Sequence, residues 1–144
     1  GFDHGINYKT ENVEDQLRKT CPEGVDVYFD NVAGPILDAV LANIAVHGRV
    51  ALSGMMENYN KDEPVPGPYQ FDMLLMRRAT ITGFLSRDFF PRMEESDTQI
   101  RTWMDQDLIS LRFDETEGIE NALTAYEHLF AGINIGKSII KVQK

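Results

Sequence analysis

Hydrophobic positions along the chain alternate between two periods. Val25-Asp26-Val27-Tyr28-Phe29-Asp30-Asn31-Val32 is β-branched and aromatic, which predicts a strand over 25–32. Ile36, Leu37, Val40, Leu41 and Ile44 then follow at helical spacing, predicting a helix that opens at Gly34-Pro35, runs to about His47 and stops at Gly48. Strands are expected over 49–53 and 79–85, with a short helix over 71–77 ahead of the latter. Val13 and Leu17 among charges predict an amphipathic helix over 12–20, with Thr10 as its N-cap. A short strand is expected over 4–7.

Further along, residues 90–107 read as a helix carrying Met93, Ile100, Trp103 and Met104, expected to be core. Residues 108–113 read as extended. Ile119, Ala122, Leu123, Tyr126 and Phe130 mark a helix over 118–130, and 137–142 a closing strand. The turn formers Pro64, Pro66, Gly67 and Pro68 mark 58–69 as a loop. Alternation of strand and helix throughout predicts an α/β fold with a mostly parallel sheet, without repeats and read as one unit over 1–144.

Composition narrows the function more than the fold. The 144 residues carry 14 basic and 23 acidic side chains, a net charge of -9. Such a surface repels phosphate backbones, which argues against nucleic-acid binding. No apolar run approaches the ~20 residues of a membrane span. The start of the chain lacks the basic and apolar regions of a signal peptide. A single cysteine, Cys21, excludes an intrachain disulfide and fits a reducing cytoplasm, the expected location.

In an open parallel sheet, ligands bind outside the carboxyl ends of the strands. Three predicted strand ends carry suitable residues: Asp30-Asn31-Val32-Ala33-Gly34, Ser53-Gly54-Met55-Met56 and Gly83-Phe84-Leu85-Ser86. Small residues there let a ligand approach the main chain, and Asn31 suits a sugar or an amide. Ordinary strand-to-helix turns use the same residues, so the pattern alone reaches only a plausible nucleotide-type cleft. Other chemistries find no constellation. His4, His47 and His128 lie on different elements without zinc-ligand spacing, so no metal is expected. Cys21 has no activating base, and the acidic run from Asp105 to Glu117 reads as a solvated face.

An ordered set of segments adds a resemblance: residues 1–9, Gly-Val-Asp-Val-Tyr-Phe-Asp-Asn-Val-Ala-Gly at 24–34, Gly-Arg-Val-Ala-Leu-Ser-Gly at 48–54, Tyr59-Asn60, Pro66-Gly67-Pro68, Gly83-Phe84, Gly118-Ile119-Glu120-Asn121-Ala122 and Asn134-Ile135-Gly136-Lys137. Together they resemble the zinc-independent prostaglandin reductase, leukotriene B4 12-hydroxydehydrogenase and curcumin reductase branch of the medium-chain dehydrogenase/reductases. The resemblance implies NADPH-dependent reduction of the carbon–carbon double bond of α,β-unsaturated ketones and aldehydes. It places Tyr8 beside the 2′-phosphate of NADP(H), and Asn31 near the diphosphate and nicotinamide ribose. It places Ser53, Gly54, Met55, Met56, Glu57, Asn58 and Tyr59 along the ribose and nicotinamide, with Tyr59 also at the substrate as the candidate catalytic residue. Phe84, Leu85 and Ser86 would meet the carboxamide, and Asn134 would complete the pocket.

Measured against that family, Ala33 stands where glycine is usual, and the glycine-rich pyrophosphate turn is missing. The resemblance therefore implies the C-terminal portion of such a reductase. About 1–115 would be a partial Rossmann-type sheet lacking its first two strands, and about 116–144 a closing helix and strand of the catalytic domain. The strand at 25–32 would then be an exposed edge, and the first segment displaced, disordered or paired in an oligomer. The implied partners are a small enone substrate and a second copy through the strand at 79–85. The alternative is a non-catalytic oligomerisation module; an unrelated small-ligand binder needs only the cleft.

Overall fold

The computed structural model describes residues 1–59, 61–63 and 65–142. Two compact units form, Gly1–Phe90 and Pro91–Lys144.

In the first unit, helix α1 (Val13–Thr20) leads to strand β1 (Val25–Asp30), helix α2 (Gly34–Ala42), strand β2 (Ile44–Leu52), helix α3 (Asp72–Arg77) and strand β3 (Thr80–Gly83). The three strands are parallel in the order β1-β2-β3, so β1 is an edge. Tyr28, Val50 and Ile81 form one row of the register, and Phe29, Ala51 and Thr82 the next. Successive rows point to opposite faces. One face is the core, where Leu37, Val40 and Leu41 of α2 pack with Ile44 and Val50, and with Leu17, Met73, Leu74 and Ile81 around them. The other keeps Val27 and Phe29 more than half exposed. There Phe84 stacks edge-on to Phe29 and Phe89, with centroids 5.8 and 5.7 Å apart.

Several boundaries differ from the sequence pattern. The cap of α1 is Asn12, not Thr10: its Oδ1 accepts the Asp15 amide at 3.0 Å. Helix α2 ends five residues before His47. Asn43 stops it by donating from Nδ2 to the Ala39 carbonyl (2.8 Å), while its own carbonyl accepts the Val25 amide at 2.9 Å. Ile44 is thereby drawn into the core as the first residue of β2. The helical spacing had continued through Ile44 by coincidence. The extra residues are absorbed in an irregularity of β2, where His47 takes φ 64°.

The expected strand over 4–7 does not form. Those residues are exposed apart from half-buried Ile6, and a turn closed by Thr10 and Glu11 amides on the Asn7 carbonyl follows them.

The second unit contains helix α4 (Met93–Asp105), strand β4 (Phe113–Glu117), helix α5 (Ala122–Ala131) and strand β5 (Lys137–Lys141). The two strands pair in parallel. Helix α4 buries no residue, so Trp103 and Met104 are not core: each keeps about 40% of its surface (41% and 40%). A unit this small, with five-residue strands, has little surface to offer such a helix. The α/β class with parallel strands flanked by helices is as the alternation predicts. No helix among the described residues is long and apolar enough to cross a membrane.

Candidate functional site

The carboxyl ends of β1 and β2 are laced together by main chain. Beyond the last ladder pair, the amides of Ser53 and Gly54 both donate to the Asp30 carbonyl, at 2.7 and 3.2 Å. Met56 then donates to the Asn31 carbonyl and Glu57 to that of Val32, each at 3.1 Å. At β3 the Phe84 amide donates to the Leu52 carbonyl at 3.1 Å. Pairing thus continues past the strands and carries Asn31, 53–57 and Phe84 to one end of the sheet.

Gly54 fits this lacing because it has no side chain. A Cβ there would lie 3.0 Å from the Asn31 carbonyl oxygen and 3.5 Å from the Tyr59 hydroxyl. The Tyr59 hydroxyl accepts the Met55 amide at 3.5 Å, while the ring is 68% exposed. The Glu57 side chain lies over Gly34 at the start of α2 and accepts from Lys61 at 3.0 Å. Asn58 is half-buried, with no hydrogen-bond partner for its Oδ1 among the described residues.

Beside these ends lies a largely apolar cavity of about 690 Å³, between α2, Leu52 and the loop to α3. Met55 and Asn58 line it, with Lys61 and Asp38 as its charged groups. That volume falls in the usual range for small-molecule pockets.

Beneath the lacing is Asp30, which the sequence pattern placed in the first strand end without a role of its own. It is fully buried, and one oxygen accepts the Tyr28 hydroxyl (3.0 Å) and the Val32 and Ala33 amides (2.8 and 2.9 Å). Burial, the Asp30 charge and this hydrogen bond push the Tyr28 phenol well above the usual tyrosine range.

Tyr8, Leu85 and Ser86 take no part in this lacing. Tyr8 stands in an exposed turn and shares no described hydrogen bond with it. The Leu85 amide is taken by the Asp88 carboxylate at 3.1 Å, and Ser86 begins a 3-10 turn. Asn134 belongs to the second unit, where its Nδ2 donates to the Gly136 carbonyl at 2.9 Å.

A parallel sheet whose strand ends converge on small residues and a carboxamide, next to an apolar cavity, has its candidate site where open α/β sheets bind ligands. Comparison with known proteins specifies it: residues 1–140 match the zinc-binding dehydrogenase model, and the chain belongs to that family. It is 34% identical to an NADPH-dependent curcumin reductase of Escherichia coli, over 99% of this chain and 43% of that protein. It is 34% identical to an NADP(+)-dependent 2-alkenal reductase of Nicotiana tabacum, over all of this chain and 42% of that one. The crystal structure of CurA from Vibrio vulnificus in complex with NADPH superposes with a TM-score of 0.87 at 32% identity. That match covers 99% of this chain and 44% of CurA.

The chain therefore spans less than half the length of these relatives. The family's name implies zinc, but the donor set does not fit it. Among the described residues no three histidine, cysteine or acidic side chains gather to hold a metal ion.

Proposed function

We propose that the chain contributes to an NADPH-dependent reductase acting on the carbon–carbon double bond of α,β-unsaturated ketones or aldehydes. The observation that carries this reading is the laced end of β1, β2 and β3. It presents Asn31, Tyr59 and the Gly54 main chain together beside an apolar cavity. Similarity to two NADP(H)-dependent reductases supports the cofactor and the substrate class.

The residues present fit part of such a cofactor. The exposed Asn31 carboxamide suits a ribose, whereas the space left by the missing Gly54 side chain is taken by the Asn31 carbonyl and the Tyr59 hydroxyl. The amides of Ser53, Gly54, Met56 and Glu57 are all consumed within the protein, so they cannot cradle phosphates. Groups holding the diphosphate lie outside this set. The bound cofactor would supply hydride.

The chain's own part is orientation. The Tyr59 hydroxyl accepts from Met55, which leaves its proton free to donate to the substrate carbonyl oxygen, where negative charge develops. The apolar cavity would hold the body of the substrate and exclude water.

Titration of the purified chain with NADPH, with NADH as control, tests the reading. Saturable binding that favours NADPH is expected. Absence of binding at millimolar cofactor would overturn cofactor binding by this chain alone. A second reading, a non-catalytic oligomerisation module, draws on β3 forming the sheet's other edge. Concentration-dependent size in solution together with silence in the titration would favour it.

A further inference from the structure

Ala33 is the most unusual residue of the laced end. It takes φ 63° and ψ −151°, a combination essentially confined to glycine, and its side chain is buried at 2% exposure. It is also the N-cap of α2 and offers no side-chain cap. An alanine persists in such a conformation only where its surroundings over-determine it. The surroundings here are explicit. The Asp30 carboxylate accepts the amides of Ala33 and Val32, and is itself oriented by the Tyr28 hydroxyl.

We propose that Asp30 is a positioning residue: its carboxylate clamps the strained 31–33 turn and so fixes the Asn31 carboxamide and the loop laced onto it. The chain of contacts is short. The Asp30 side chain fixes Val32 and Ala33. The Asn31 and Val32 carbonyls, held in consequence, accept Met56 and Glu57, and so set the path of the loop that carries Tyr59. Asp30 touches no ligand in this arrangement. The second carboxylate oxygen is buried without a hydrogen-bond partner among the described residues. A group retained at that cost is held by what its other oxygen does.

The functional consequence rests on the cofactor reading above; the clamp does not. Amide hydrogen exchange and NADPH titration are to be measured on the unmodified chain, Asp30→Asn, Asp30→Ala and the double variant Asp30→Ala/Ala33→Gly. Asp30→Ala is expected to cut the protection of the Met56 and Glu57 amides, and NADPH affinity with it, by about tenfold. Asp30→Asn keeps an acceptor oxygen and is expected to stay within about threefold. Adding Ala33→Gly should recover most of the loss, because glycine holds this conformation without a clamp. A merely structural acid would show no such rescue.

Unchanged protection in Asp30→Ala, or no recovery with Ala33→Gly, overturns the proposal. If Asp30→Ala does not fold, Asp30→Ser takes its place with the same expectations. If the unmodified chain binds no NADPH, the cofactor reading fails, and the exchange data alone decide on Asp30.

Discussion

Tyr28 and Asp30 are two residues apart on one face of β1, and the phenol donates to the carboxylate at 3.0 Å. The phenol loses water by burial, faces the Asp30 charge and donates to it, so its ionisation is pushed up. In the unfolded chain the same phenol ionises near pH about 10. Above that pH the unfolded state releases a proton that the folded state keeps, so folding stability falls as pH rises. Below it, this contribution is fully present. Urea midpoints at about pH 8 and about pH 11 should therefore separate for the wild type, and Tyr28→Phe should narrow the gap. An equal gap in Tyr28→Phe would mean that other groups carry the alkaline slope.

At this scale the sequence was only partly legible. Asn31, Ser53 and Gly54 could be named because small residues and a carboxamide at strand ends have a recognisable chemistry, whereas Tyr59 came from the resemblance. Asp30 was named only as part of its strand end and without a role, because nothing in the string distinguishes a buried acid from a solvated turn residue. Tyr8 and Asn134 rested on resemblance, and Tyr8 shares no described hydrogen bond with the laced strand ends.

Among the elements, α2 carries a large share of the buried core. Leu37, Ala39, Val40 and Leu41 are buried, and Leu41 has no exposed surface. Leu41→Ala should cost about 3 kcal/mol, within the range for a fully buried leucine, read as a shift in denaturant midpoint with unchanged slope. A cost below about 1 kcal/mol would mean that the site collapses around the smaller side chain. The strand–helix order was readable from periodicity, because a period of two and a period of 3.6 are hard to confuse over long runs.

Boundaries were less readable. Ile44 extended the apolar stripe of α2, and only the side-chain bond of Asn43 to Ala39 shows where the helix gives way. Trp103 illustrates a different limit. An apolar stripe reports that a helix has a face to cover, not that its own unit contains the cover.

For the whole molecule, charge is the dominant long-range property. A net charge of -9 repels an anionic dinucleotide before any contact forms. Screening should therefore favour the encounter: between about 20 and 300 mM salt, NADPH affinity is expected to hold or rise by about twofold. A steep fall over the same range would point instead to a local cationic cradle.

The lacing of the strand ends has another consequence. Its bonds join amides to carbonyls, so they depend on the path of the chain and not on which side chains it carries. Met55, Met56 and Asn58 can change while the loop keeps its course. Gly54 and Asp30 cannot change so freely, because one makes room for the lacing and the other anchors it. The loop thus separates a fixed frame from exchangeable decoration. A new ligand preference could be written into it by substitution, with no insertion and no rebuilding of the sheet.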